Sequence, residues 1–262
     1  MKTKLSTPIN IKDENIRPPF YFLSDIHLST CTKEAPKRRM KKVLSLMGDI
    51  YEKGGTLFIL GDFFDFWFDR RDYVPETLRP VVRALARLSE KNIGVHYIGG
   101  NHDYWIEGYL TRELGIHFYP DDITFRYEKT RFFCQHGDHI VYNHFSYPLV
   151  RHILRAPLAI TMLKWLPVNW TYALGKKVSH YNRTATRIPR VPEHIVNKMQ
   201  LFLLDKLEEG YDIAISGHVH EPLCIEKDNK YAVILGDWIH NCSYGIWDGS
   251  VFRLVRDTWQ HE

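Results

Sequence analysis

The chain has few cysteines, no long apolar run, no internal repeat and little net charge, and each shortage removes a class of protein. Its four cysteines, Cys31, Cys134, Cys224 and Cys242, form no CxxC pair. That spacing suits neither a zinc ribbon nor a small disulfide scaffold, so reduced thiols in a cytosolic protein are expected. No uninterrupted apolar run approaches the roughly 18–20 residues that span a bilayer. Residues 1–19 are polar and lack the apolar centre of a signal peptide. The expectation is a chain neither exported by that route nor integral to a membrane. A net charge of +4 suits an anionic substrate or a membrane surface but is too small for a nucleic-acid footprint, so no nucleic-acid partner is expected.

At 262 residues the chain can form one large domain with its own core. Aromatic residues make up 14%, enough for a densely filled interior with some exposed anchors. Residues 1–19 look like a loose leader ending in Pro18 and Pro19. Beyond it, apolar runs at 20–24, 56–60 and 93–98 read as buried strands. Between them, residues 37–53 and 75–91 carry helical periodicity, with Val43, Met47 and Ile50 on one stripe and Val81, Leu85 and Leu88 on the other. This alternation predicts parallel strands with helices packed outside. Further strands are expected at 131–135, 212–216, 231–235 and around 245–255.

Residues 142–192 differ in character and read as an inserted helical cap. An apolar stretch there holds Leu158, Ile160, Leu163, Trp165 and Leu166, followed by Trp170, Tyr172 and Leu174. Basic residues follow, among them Lys176, Lys177, Arg183, Arg187 and Arg190. Such a segment either packs its apolar face on the parent domain or offers it to lipid.

The chemistry gathers just after the predicted strands. Asp25-Ile26-His27 follows the first, Gly61-Asp62 the second and Gly100-Asn101-His102-Asp103 the third. His136-Gly137-Asp138 and Gly217-His218-Val219-His220 follow two later ones. Ligands of open parallel sheets collect at the carboxyl ends of strands, so these five clusters can converge. Mixed imidazole and carboxylate donors suit manganese, iron or zinc better than magnesium or calcium. Asp25, His27, Asp62, Asn101, His136, His218 and His220 are too many ligands for one tetrahedral ion. Two ions about 3.5–4 Å apart that share a carboxylate would use them all, clamp a phosphoryl group and activate a water.

The ordered set DIH, GDFFD, GNHD, HGD and GHVH resembles the calcineurin-like metallophosphoesterase superfamily over roughly residues 20–240. The resemblance implies a four-layer α/β/β/α sandwich carrying the inserted cap within a single domain, residues 1–262. It implies one ion held by Asp25, His27, Asp62 and His220, and a second held by Asp62, Asn101, His136 and His218. His102 would then stand beside the transferring phosphoryl group as general acid or charge stabiliser, with Asp103 orienting it. More narrowly, SDIHLS, LGDFFDFWF and LGDW, with a basic helical insert between HGD and GHVH, resemble UDP-2,3-diacylglucosamine hydrolases of lipid A synthesis. That likeness implies two divalent ions, manganese foremost with iron and zinc as alternatives, and a lipidated nucleotide sugar as substrate. It also implies acyl chains on the apolar face of the cap, Trp165 included, and phosphates met by Lys176, Lys177, Arg183 and Arg187. Peripheral contact with the inner face of the cytoplasmic membrane follows from such a substrate. Well-known members of that group carry arginine where this chain has His102, whereas the histidine form is the pattern of the broader superfamily. A binding protein that had abandoned catalysis would be expected to lack some of the ligands, and none is missing.

Overall fold

The computed structural model describes residues 8–11, 15–29, 34–69, 73–106, 108–141 and 191–257, and singly Thr161, Trp165, Pro167, Trp170 and Tyr172. Strands β2 (Phe20–Leu23), β3 (Thr56–Leu60) and β4 (Gly94–Ile98) lie parallel and adjacent. Every residue of β2 and β3 is buried, because both faces of the sheet are covered. The period-2 alternation of a strand sorts the side chains. Tyr21, Leu23, Leu57 and Ile59 face the helices α1 (Glu34–Lys53) and α2 (Arg79–Glu90), meeting Val43, Met47, Ile50, Val81, Leu85 and Leu88. Phe20, Phe22, Phe58 and Leu60 face the other way. Strand β5 (His117–Tyr119) extends this sheet beside β4, and the hairpin β11 (Ser243–Trp247) and β12 (Phe252–Arg256) extends it beside β2.

The second sheet runs in the order β1 (Ile9–Ile11), β6 (Ile123–Tyr127), β7 (Thr130–Gln135), β8 (Ile213–Ser216), β10 (Lys230–Ile234) and β9 (Leu223–Lys227). Helix α5 (Glu193–Glu208) covers its outer face, setting Met199, Leu203 and Leu207 on Phe133, Ala214, Ala232 and Ile234. Between the sheets much of the aromatic content is spent in one stack. Ring centroids lie 5.1 Å apart for Phe22 and Phe58, 4.8 Å for Phe58 and Phe125, and 4.5 Å for Phe125 and Phe132. Helix, sheet, sheet and helix give the four layers that the resemblance implies. Short helices α3 (Tyr109–Arg112) and α4 (Asp138–Val141) complete the described elements.

The leader departs from expectation. Ile9–Ile11 is a strand paired in parallel with β6, Ile16 is buried, and the Arg17 amide donates to Thr56 Oγ1 at 3.0 Å. Three residues are too few to show periodicity, and their pairing partner lies far along the chain. The helix expected over 75–91 begins as a 3-10 turn, Glu76–Leu78, because Pro80 sits in the first turn of α2.

Most of residues 142–192 lie outside the described residues, including Leu158, Ile160, Leu163, Leu166, Lys176, Lys177, Arg183 and Arg187. Tyr172 is buried, with its ring 5.5 Å from Phe66 and 5.2 Å from Tyr73, and its hydroxyl donates to the Phe68 carbonyl at 3.3 Å. At that point the segment packs on the parent domain. Trp165 and Trp170 are exposed, at 85% and 70%. Among the described residues no helix is long and apolar enough to cross a membrane.

Candidate metal centre

Each donor sits on a loop that leaves the carboxyl end of a strand. Asp25 and His27 follow β2, Asp62 follows β3, Asn101 follows β4, His136 follows β7, and His218 and His220 follow β8. Five of these residues have left-handed backbone: Asp25 (φ 52°), His27 (51°), Asp62 (51°), His218 (66°) and His220 (37°). Such values are uncommon outside glycine and mark places where the surroundings dictate the conformation. The loops hold one another there. The amides of Asp25 and His27 donate to the carbonyls of Gly61 (3.2 Å) and Asp62 (2.9 Å). The His218 amide donates to Asp25 Oδ2 at 2.7 Å, tying the second sheet to the first. Gly100 is required by close approach, since a Cβ there would collide with the Asp62 carboxylate.

The side chains converge. Donor atoms lie within 4.8 Å of one another in three groups: Asp25, His27 and His220; His27, Asp62 and His102; and Asp62, His136 and His218. Asp25 Oδ1 is 3.2 Å from His220 Nε2 and 3.9 Å from His27 Nε2. Asp62 Oδ2 faces both sides at once, 3.9 Å from His27 Nε2 and 3.6 Å from His136 Nε2. Asn101 joins through Oδ1, 3.1 Å from His136 Nε2. All seven expected side chains therefore meet at one spot.

The donor set fits cations. His136 Nδ1 lies 2.9 Å from the Leu60 carbonyl and so carries the ring proton. Its Nε2 faces Asp62 Oδ2, Asn101 Oδ1 and, at 3.3 Å, His218 Nδ1. Carboxylate and amide oxygens crowded against ring nitrogens in this way suit a cation, whose charge turns their mutual repulsion into attraction. The two central carboxylates point to the same need. Burial first, then the charges of Asp103 and Asp25, raise the Asp62 carboxyl well above its ordinary range, against the pull of the His102 amide. For Asp25 burial also acts upward, but the bond and charge of His220 and the charges of His136 and His27 outweigh it and hold the carboxyl low. Burial drives His218 down to about 3 and His102 down to about 4, so both rings are neutral at neutral pH.

Behind the inner atoms stands a second set of groups that the sequence reading left unassigned. Asp65 Oδ1 is 3.5 Å from His27 Nδ1, and Asp237 Oδ2 is 3.5 Å from His220 Nδ1. Both belong to quoted motifs, GDFFD and LGDW, so the signal was an extra carboxylate beside a ligand. Asp103 has a different task from the expected one. Its Oδ1 accepts from the amides of Asp62 (3.1 Å) and Gly100 (3.0 Å), and its Oδ2 accepts from the Phe64 amide (3.1 Å) and the Tyr97 hydroxyl. It fixes the two ligand loops, while the Asp65 carbonyl, 2.9 Å from His102 Nδ1, orients the histidine. Trp165 is exposed, and Lys176, Lys177, Arg183 and Arg187 lie outside the described residues.

The chain is 29% identical over 257 residues to the UDP-2,3-diacylglucosamine hydrolase of Porphyromonas gingivalis, covering 91% of this chain and 97% of that one. It is 27% identical over 239 residues to the enzyme of that name from Neisseria meningitidis, covering 89% and 97%. Among solved structures it is similar to a dimetal phosphatase from Danio rerio, with a TM-score of 0.48, 13% identity and coverage of 92% and 97%. The sequence profile of calcineurin-like phosphoesterases matches residues 18–222, which takes in all five motifs. The chain belongs to the calcineurin-like phosphoesterase family and is a metal-dependent hydrolase of phosphoester or pyrophosphate bonds.

Proposed function

We propose that the chain hydrolyses the pyrophosphate of UDP-2,3-diacylglucosamine, releasing UMP and 2,3-diacylglucosamine 1-phosphate as a step of lipid A synthesis. The observation that supports this reading best is near full-length similarity to hydrolases of that name, on a chain whose donor set is complete. Two divalent ions, manganese first, are its cofactors. One would be held by Asp25, His27, Asp62 and His220, the other by Asp62, Asn101, His136 and His218. When bound, such a pair polarises phosphoryl oxygen and lowers the pKa of the attacking water.

The chain's own groups do the rest. Asp62 keeps one oxygen on the His102 amide, at 2.9 Å, and turns the other toward both halves of the centre. His102, anchored through Nδ1, leaves Nε2 open toward the centre. A pyrophosphate arriving beside it raises its pKa, because negative charge favours the imidazolium, and the ring can then donate to the leaving phosphate. An arginine at this position would be charged at every pH, so the histidine makes the step pH-sensitive. In this reading the cap over residues 142–192 holds the acyl chains, with Leu158, Ile160, Leu163, Trp165 and Leu166 against them. Lys176, Lys177, Arg183 and Arg187 meet phosphates, and the exposed Trp165 and Trp170 support peripheral contact with the inner face of the cytoplasmic membrane.

The histidine at 102 also favours a second reading, a phosphoesterase with another phosphodiester or nucleotide substrate. Hydrolysis of UDP-2,3-diacylglucosamine with added Mn²⁺, assayed beside a generic aryl phosphodiester, separates the two. Release of UMP from the lipid substrate alone is the expected result. Activity on the aryl ester alone would establish the second reading.

A further inference from the structure

Among the described residues Arg39 is the only lysine or arginine that is buried, in a molecule that buries many aspartates. It lies near the start of α1, the helix that comes after the loop of Asp25 and His27. Neither helix formation nor packing calls for a cation there. A helix start favours acids, and burial strips a cation of its water.

What the guanidinium meets is the centre. Its Nη1 donates to the Ile26 carbonyl at 3.1 Å. Ile26 stands between Asp25 and His27, whose left-handed φ values of 52° and 51° must be held from outside. The amides of both ligands bond to Gly61 and Asp62, and the Asp25 carbonyl accepts from the Trp238 amide. The Ile26 carbonyl is held by a side chain instead. Burial lowers the Arg39 pKa, and the charge of Asp237 opposes that shift. Asp237 belongs to the turn after β10, where Asn241 Nδ2 donates to the His220 carbonyl at 2.9 Å. One buried cation therefore serves both backbone segments that carry the ligands Asp25, His27 and His220.

We propose that Arg39 is a positioning residue of the centre, its guanidinium holding the Ile26 carbonyl so that Asp25 and His27 are already in place when an ion arrives. The proposal rests on the reading in which Asp25 and His27 share an ion. Positioning and charge predict opposite signs. A fixed positive charge repels a metal ion, so removing a cation that acted through charge alone would tighten binding. Removing one that holds the ligand loop weakens it, as the loss of outer partners does by about 10–100-fold.

Two variants of the full chain test this. Arg39→Met removes donor and charge, and Arg39→Lys keeps both but loses the planar fork. The first measurement is amide hydrogen exchange in metal-free protein, and the second is Mn²⁺ titration calorimetry. In Arg39→Met we expect the His27 and Leu28 amides to exchange about tenfold faster, as loss of one charged hydrogen bond implies. The Leu235 amide, bonded to Ser216 in the other sheet, should be unchanged. Mn²⁺ affinity should fall about tenfold, and Arg39→Lys should show the same changes at smaller size. Exchange that is unchanged at His27, or faster equally at Leu235, overturns the proposal, and so does Mn²⁺ affinity that is unchanged or tighter. If Arg39→Met does not fold, Arg39→Lys decides by the same criteria. Wild-type protein that binds no Mn²⁺ refutes the metal-centre reading instead, and the exchange pattern still judges Arg39 separately.

Discussion

The two halves of the centre are built differently. Around Asp25, both histidines have a carboxylate behind the ring, Asp65 behind His27 and Asp237 behind His220, each at 3.5 Å. Around Asn101, the ring of His136 is backed by a neutral carbonyl, that of Leu60 at 2.9 Å, and the amide of Asn101 carries no charge. The first half backs both of its rings with carboxylates, whereas the second backs His136 with a carbonyl and has the charge of Asp138 acting on His218. Asp62 belongs to both. The difference teaches that what stands behind a ligand separates the two halves as much as the ligand itself.

Removing what the halves share should have the largest effect. Asp62→Ala is expected to cut turnover roughly a thousandfold, the rate equivalent of about 4 kcal/mol, while circular dichroism stays unchanged. Metal-free Asp62→Asn should be at least as stable as wild type at neutral pH. A carboxyl raised by burial favours folding only while protonated, so its charged form opposes the fold once pH passes the raised value. Thermal unfolding with chelator present checks the sign.

A smaller effect is expected from the backing groups. Asp65→Asn should weaken Mn²⁺ binding about 10–100-fold with the fold retained, as read by titration calorimetry. Equal affinity in that variant would erase the contrast between the halves.

Acid should act on the Asp25 half first. Burial lowers the His220 pKa, but the bond and charge of Asp25 and the charge of Asp237 outweigh it and leave it above 6.5. Its stabilisation of the metal-free fold is therefore full below 6.5 and lost as pH rises through the raised value. Metal binding has the opposite sense, because the proton must leave before Nε2 can ligate. Affinity is expected to fall as pH drops below that value, by up to about tenfold per unit for each proton released, from His220 and from the raised Asp62 carboxyl. His218, already neutral down to about 3, adds nothing in this window.

The smallest change belongs to the other half. Leu60→Val keeps the carbonyl behind His136, so Mn²⁺ affinity should be unchanged while stability drops by about 1 kcal/mol. A loss of affinity there would mean that packing, not the carbonyl, positions His136.

Much of this arrangement is legible in the sequence because buried parallel strands announce themselves as unbroken apolar runs, and each ends in a ligand motif. The segments expected at 56–60 and 93–98 correspond to β3 and β4 to within a residue. Other elements give weaker signals. Ile9–Ile11 is too short to show a period, and Leu223–Lys227 at the sheet edge is largely exposed, so its composition does not read as core. Helix α5 had a readable stripe in Met199, Leu203 and Leu207, but it follows directly on the segment read as a cap. Within the site, inner ligands were legible because metals demand particular atoms. Asp65 and Asp237 stand behind a neighbouring ring, and only the coordinates reveal which ring that is.

The most direct test of the account is anomalous diffraction from crystals grown with Mn²⁺. Two peaks are expected, one among Asp25, His27 and His220, the other among Asn101, His136 and His218, with the Asp62 carboxylate between them. A single peak, or density lying away from Asp62, would contradict the shared centre.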